Sequence, residues 1–149
     1  MAFTLHKGPA GGTSTMPAER FIASGAVAAN MPVALAAGAS GAELAKVAVV
    51  AGGSAATGYV YGVAQEAAAD GAEVMVIPAM PGSVWVADAA ADANVSNAAA
   101  DNYLAATTLL VTVGASTNLG KKVEIIGKLG TAAERKYLVR FAPAAVLGV

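Results

Sequence analysis

The side chains able to do chemistry are few, and their spacing keeps them apart. His6 is the sole histidine, two residues before the Gly8-Pro9 pair in a stretch with no periodic pattern. That is a poor platform for a general base, which must be held within hydrogen-bond reach of its proton. A Ser-His-Asp arrangement would have to recruit this residue, and no G-x-S-x-G elbow offers the nucleophile. Asp88 and Asp92 are four apart, a spacing that shares a face only on a helix, and Asp88 closes a run of strand formers. Paired acid–base or metal chemistry there is disfavoured. Cysteine is absent, which removes disulfides and thiolate metal sites. Gly52-Gly53 is not followed by the dinucleotide fingerprint, and Gly127-Lys128-Leu129-Gly130 lacks Walker spacing, so the glycines read as turns. No catalytic residue, metal or cofactor is expected.

What remains is suited to making contacts. Lys121, Lys122, Lys128, Arg135, Lys136 and Arg140 form the one basic cluster of the sequence, either an ordinary solvated face or a docking patch for an acidic protein surface. Tyr59 and Tyr61, with Tyr103 and Tyr137, combine contact area with a polar tip, although each also suits a core edge. The candidate interface residues are therefore Phe3, Leu5, Tyr59, Tyr61, Lys121, Lys122, Lys136 and Arg140. The net charge is −1, and aromatic residues make up 5% of the chain. Neither nucleic acid nor an anionic membrane is an expected partner, because there is neither a net basic field nor a stacking platform. Charge is uneven along the chain: residues 101–149 carry six basic and three acidic groups, residues 1–100 three and seven.

The 149 residues are 56% hydrophobic and 13% charged, against about a quarter charged in an average domain. Much of the apolar fraction is alanine, whose single methyl buries little area per residue. Packing within one chain is thus expected to be thin, with oligomerisation or docking on a larger surface as the natural supplement. The N-terminus lacks the compact apolar core of a signal peptide, and no uninterrupted apolar run reaches membrane-spanning length. The expectation is a protein made in the cytoplasm.

The stretch Glu73–Asp88, EVMVIPAMPGSVWVAD, anchors the predicted fold. Val74, Val76, Ile77, Val84, Trp85 and Val86 are strand formers, and Pro81-Gly82 suits the centre of a type II turn, which predicts a β-hairpin. Both faces of each arm are apolar, so a second layer or another protein should cover them. Trp85 brings the largest apolar side chain and an indole N–H that needs a partner. Further strands are expected at 21–23, 32–35, 47–50, 57–64, 107–113, 122–126 and 136–141, the last with Tyr137, Val139 and Phe141 inward. Residues 65–72 read as a broad turn and 127–133 as another. Over 97–106, a helix capped by Ser96 and a loop both stand. Residues 1–19, rich in Gly, Pro, Ser and Thr, read as an arm with no element of its own, either disordered or extended onto a neighbouring subunit through Phe3 and Leu5. Deleting residues 1–15 should then leave the isolated fold intact. Residues 20–149 make the folded domain. The fold class is mainly β, a small β-barrel or sandwich of short antiparallel strands with room for one short helix.

The order of a short strand, then Tyr61–Val74 (YGVAQEAAADGAEV), then a Pro-Gly turn with Val84 and Val86 resembles the small decoration, or cement, proteins of tailed bacteriophage capsids. Residues 26–35 and 45–50 look similar to the leading strands of that module, so the resemblance covers roughly residues 20–90. It implies a β-rich domain on the outside of the virion head, a homo-oligomer, expected as a trimer, that touches several major capsid protein subunits and stabilises them. It carries no active site to transfer. A tail, fibre or surface-layer component is the alternative, and a small enzyme or carbohydrate-binding protein is a more distant one.

Overall fold

A computed structural model describes residues 3–7, 17–37, 41, 44–50, 60–80, 82–89, 102–104, 111–113, 123–131 and 133–141. The strands are β1 (Phe3–Lys7), β2 (Glu19–Ala23), β3 (Pro32–Ala36), β4 (Lys46–Val49), β5 (Gly62–Ala64), β6 (Glu73–Pro78), β7 (Val84–Asp88), β8 (Asn102–Leu104), β9 (Val111–Val113), β10 (Val123–Leu129) and β11 (Lys136–Phe141). They form a mainly β fold, and among the described residues there is no helix. Five strands close a barrel in the order β2-β4-β3-β5-β6; four form an open sheet, β1-β7-β11-β10; β8 and β9 pair with each other. All pairs are antiparallel except β2 with β4, which run parallel over Ile22 and Ala23.

The barrel closes around valine and alanine. Phe21, Ala23, Val27, Val33, Val47, Ala64, Val74 and Val76 fill its interior. Small side chains suit a five-stranded barrel, whose bore is narrow. Gly62 is part of the same economy: a Cβ there would lie 2.3 Å from the carbonyl oxygen of Ile77, so β5 and β6 approach as they do only because position 62 has no side chain.

A second core lies between the barrel wall and the open sheet. Val50, Val60, Val63, Ile77 and Ala79 come from the barrel side; Phe3, Trp85, Ala87, Val123, Ile125, Tyr137, Val139 and Phe141 come from the sheet. Phe3 stacks on Phe141 at 5.2 Å, and Trp85 meets Phe141 edge-on at 6.0 Å, both favoured aromatic geometries. β6 is thus covered twice, as its composition asked: Val74 and Val76 point into the barrel, while Ile77 points at the sheet. The second layer is the chain's own sheet.

Several expectations change. β6 and β7 do not form a hairpin: β6 pairs with β2 and β5, β7 with β1 and β11. The turn between them is real, with Ser83 N donating to Met80 O at 3.1 Å and Gly82 at φ 88°, as a type II turn requires. It hands the chain from one sheet to the other. The N-terminal arm does have an element, since β1 pairs with β7 and buries Phe3 completely. Tyr61 precedes β5 rather than lying within it. Residues 102–104 are strand, so no helix runs through 97–106; the rest of that segment lies outside the described residues. β10 does not stop at Ile126: a bulge between Ile125 and Gly127 absorbs one residue, and the strand continues to Leu129.

Candidate interaction surface

The open sheet shows the barrel one face, and its other face carries the alternate residues. Cross-strand register puts Thr4 beside Val86, Val86 beside Leu138, and Leu138 beside Gly127, making one row across β1, β7, β11 and β10. Thr4 is exposed, and Val86 and Leu138 are half-buried. Leu138 packs toward the space that Gly127 leaves open, where a Cβ would lie 3.2 Å from Leu138 Cδ1. The centre of this outer face is therefore a shallow apolar strip.

Ion pairs bound the strip at both ends. Lys136 faces Asp88 in register, and its Nζ donates to Asp88 Oδ1 at 2.9 Å. Arg140 faces Glu124 in register and donates to it through Nε. The pairs differ in solvation: the Glu124 side chain is 10% exposed, that of Asp88 32%. Burial makes Glu124 depend on Arg140, because an unpaired carboxylate in such surroundings is costly. The hydrogen bond from Lys136 to Asp88, reinforced by their Coulomb attraction, holds the Lys136 ammonium above the ordinary lysine range.

The expected interface residues scatter over this framework. Lys136 and Arg140 lie on one face, as β11 alternation implied, but each is matched by a carboxylate, so the two contribute no net positive field. Phe3 is fully buried in the chain's own second core, and Leu5 packs partly against it. Tyr61 is half-buried; it meets Phe21 edge-on at 5.2 Å, and its hydroxyl donates to Glu19. Tyr59, Lys121 and Lys122 lie outside the described residues. Sequence reasoning missed Asp88 and Glu124 as counter-ions, because their bases stand 48 and 16 residues away. It also missed Leu35 and Met80, large apolar side chains that are, among the described residues, 42% and 48% exposed.

The chemistry considered for Asp88 is replaced by its pairing with Lys136, and Asp92 is outside the described residues. His6 is exposed on β1, where the register slips between Leu5 and Lys7. Among the described residues, no three His, Asp or Glu side chains are grouped to hold a metal ion. Compared with known proteins, the sequence matches no family model and no curated protein.

Proposed function

We propose that the chain is a structural cement or decoration protein, which binds the outer surface of a bacteriophage capsid and stabilises contacts between major capsid protein subunits. The observation that carries the reading is the outer face of the open sheet, where Val86 and Leu138 form an apolar strip between two internally neutralised ion pairs. A flat β face touches another surface; it does not enclose a small molecule. Four strands at about 4.8 Å spacing, each of about five residues at about 3.4 Å rise, give a face of roughly 19 by 17 Å, on the order of 320 Å², well below the roughly 800 Å² per partner of a self-sufficient interface. Such a face gains strength by repetition, and a capsid lattice offers many copies of one site to an oligomer, here a trimer, through avidity. The sequence resemblance over residues 20–90 points to the same lattice and to a place on the outside of the virion. In this reading the protein acts by contact and has no catalytic residue or cofactor.

Co-sedimentation with purified capsids lacking their decoration protein tests it. The expected result is saturable binding that changes little with salt, because Lys136 and Arg140, which flank the strip, each already have a counter-ion. Leu138→Asp should weaken binding without unfolding the domain. A protein that stays in the supernatant at every concentration overturns the proposal, and recovery with tails or cell envelopes instead would transfer it to another structural assembly.

A further inference from the structure

The outermost strand of the open sheet is the first element of the chain. Among the described residues, β1 has a single strand neighbour, β7. On its other side, Phe3 N donates to Asn30 O at 3.0 Å. What seats β1 is thus the edge of β7 together with an apolar slot, where Phe3 stacks on Phe141 beside Trp85. The slot cannot be left open without exposing those two rings. Its occupant must be a strand with the pattern of residues 3–7, and every copy of the chain carries one.

The connection to the rest of the protein does not dictate which copy supplies it. β1 belongs to the open sheet and β2 to the barrel, so no hairpin turn fixes β1 to its own β7. Residues 8–18 join the two strands and include Gly8, Pro9, Gly11, Gly12 and Pro17. Eleven residues set an upper limit on the order of 35 Å for the distance such a connection can bridge. Exchange of an identical element between copies keeps every contact of the closed form and so costs little.

We infer that β1 is an exchangeable strand, seated on its own β7 in the isolated molecule and on the β7 of a neighbouring copy when copies are crowded. The crossover is set by the effective concentration of the tethered strand, on the order of millimolar for a short linker. Copies held side by side exceed it; dilute solution does not. The inference concerns copies of this chain alone, so it stands or falls separately from capsid binding.

Because the chain has no cysteine, disulfide trapping reads the exchange directly. Thr4 and Val86 are opposite in register. With Phe3 N turned away from β7, they are a hydrogen-bonded pair whose Cα atoms lie about 5.5 Å apart, within disulfide range. Thr4→Cys and Val86→Cys are prepared separately, mixed, concentrated into the millimolar range, incubated and oxidised, and the disulfides are mapped by mass spectrometry. The expected result is a 4–86 linked heterodimer that exceeds the sum of the two homodimers and rises with concentration. In the double variant at low micromolar concentration, the same disulfide should form within one chain. Homodimers equal to or above the heterodimer at every concentration overturn the inference. So does failure of the double variant to close its own disulfide, because the seat would then not have the register on which exchange depends.

Discussion

Trp85 and Ser83 satisfy each other inside the second core: the indole Nε1 donates to Ser83 Oγ at 3.1 Å, and the same hydroxyl donates to Met80 O at 2.6 Å. Ser83 is 1% exposed and Trp85 fully buried, so neither group has water as an alternative partner. The chain thus links the turn at 80–83 to the largest side chain in the core through one hydroxyl. Ser83→Ala orphans the indole N–H and should cost about 1–3 kcal/mol, whereas Trp85→Ala, which leaves a cavity, should cost about 3–5 kcal/mol. Equilibrium urea unfolding followed by far-UV circular dichroism measures both. A Trp85→Ala loss below about 1 kcal/mol would mean that the ring is not core.

Barrel closure gives a second prediction. Gly62→Ala puts a methyl 2.3 Å from Ile77 O and 2.7 Å from Val76 Cγ1, against backbone that is itself hydrogen-bonded. The strands must separate, and the expected destabilisation is about 1–3 kcal/mol or more. Thermal melting of the variant against wild type checks it; an unchanged melting temperature would show that β5 and β6 are not this close.

The two ion pairs should behave differently in double-mutant cycles. Asp88 and Lys136 are both well solvated, so their coupling should stay below about 1 kcal/mol. Arg140→Ala strands Glu124, whose side chain is 10% exposed, and should cost about 1–3 kcal/mol, most of it recovered when Glu124→Gln is added. Equal coupling in the two cycles would contradict the difference in burial.

Alkaline pH separates the Lys136–Asp88 pair from the rest of the protein. Folding raises the Lys136 pKa, first through the hydrogen bond to Asp88 and then through their Coulomb attraction, while a slight desolvation opposes and Glu134 adds a smaller attraction. A base raised on folding contributes stability that is complete below its unfolded pKa and is lost as pH rises through the folded one. Asp88→Asn should therefore lower the melting temperature slightly at neutral pH, and the gap should close once lysine has titrated. Melting curves of both proteins from neutral pH to about pH 12 test this, and a gap that persists at the alkaline end contradicts it.

The first strand provides a fifth test. Phe3 is fully buried and stacked, so Phe3→Ala should cost about 3–5 kcal/mol. Removing residues 1–7 should cost more, since β7 then loses its outer partner. Limited proteolysis and urea unfolding of both variants supply the measurement; stabilities equal to wild type would return β1 to the role of a bystander.

Much of this architecture was legible where side chains follow a short-range rule. Tyr137, Val139 and Phe141 alternate with Lys136, Leu138 and Arg140, and β11 buries the first three. β6, apolar on both faces, is covered on both. Gly82 takes the positive φ that a type II turn demands. Pairing partners were not legible, because a Pro-Gly turn reverses the chain without saying which strand it will meet. Phe3 and Leu5 were read as anchors for another subunit because Gly, Pro and Thr surround them; the slot that receives Phe3 is made by residues more than eighty positions later. Gly127 looked like a strand end and is instead part of a strand that a bulge carries onward. The apolar strip and its flanking ion pairs exist only through register between distant strands, which no local pattern encodes.

The two sheets also differ in when they can be built. Every barrel strand lies between Glu19 and Pro78, one continuous stretch, whereas the open sheet joins residues 3–7 to residues as late as 141. On the ribosome, where domains form as their residues emerge, the barrel can close while the C-terminal half is still being made. β1, synthesised ahead of the barrel, must wait for β7, and the sheet is complete only when β11 arrives. A segment made before the barrel is thus placed after it, and until β7 emerges Phe3 is an unburied aromatic in search of a sheet edge.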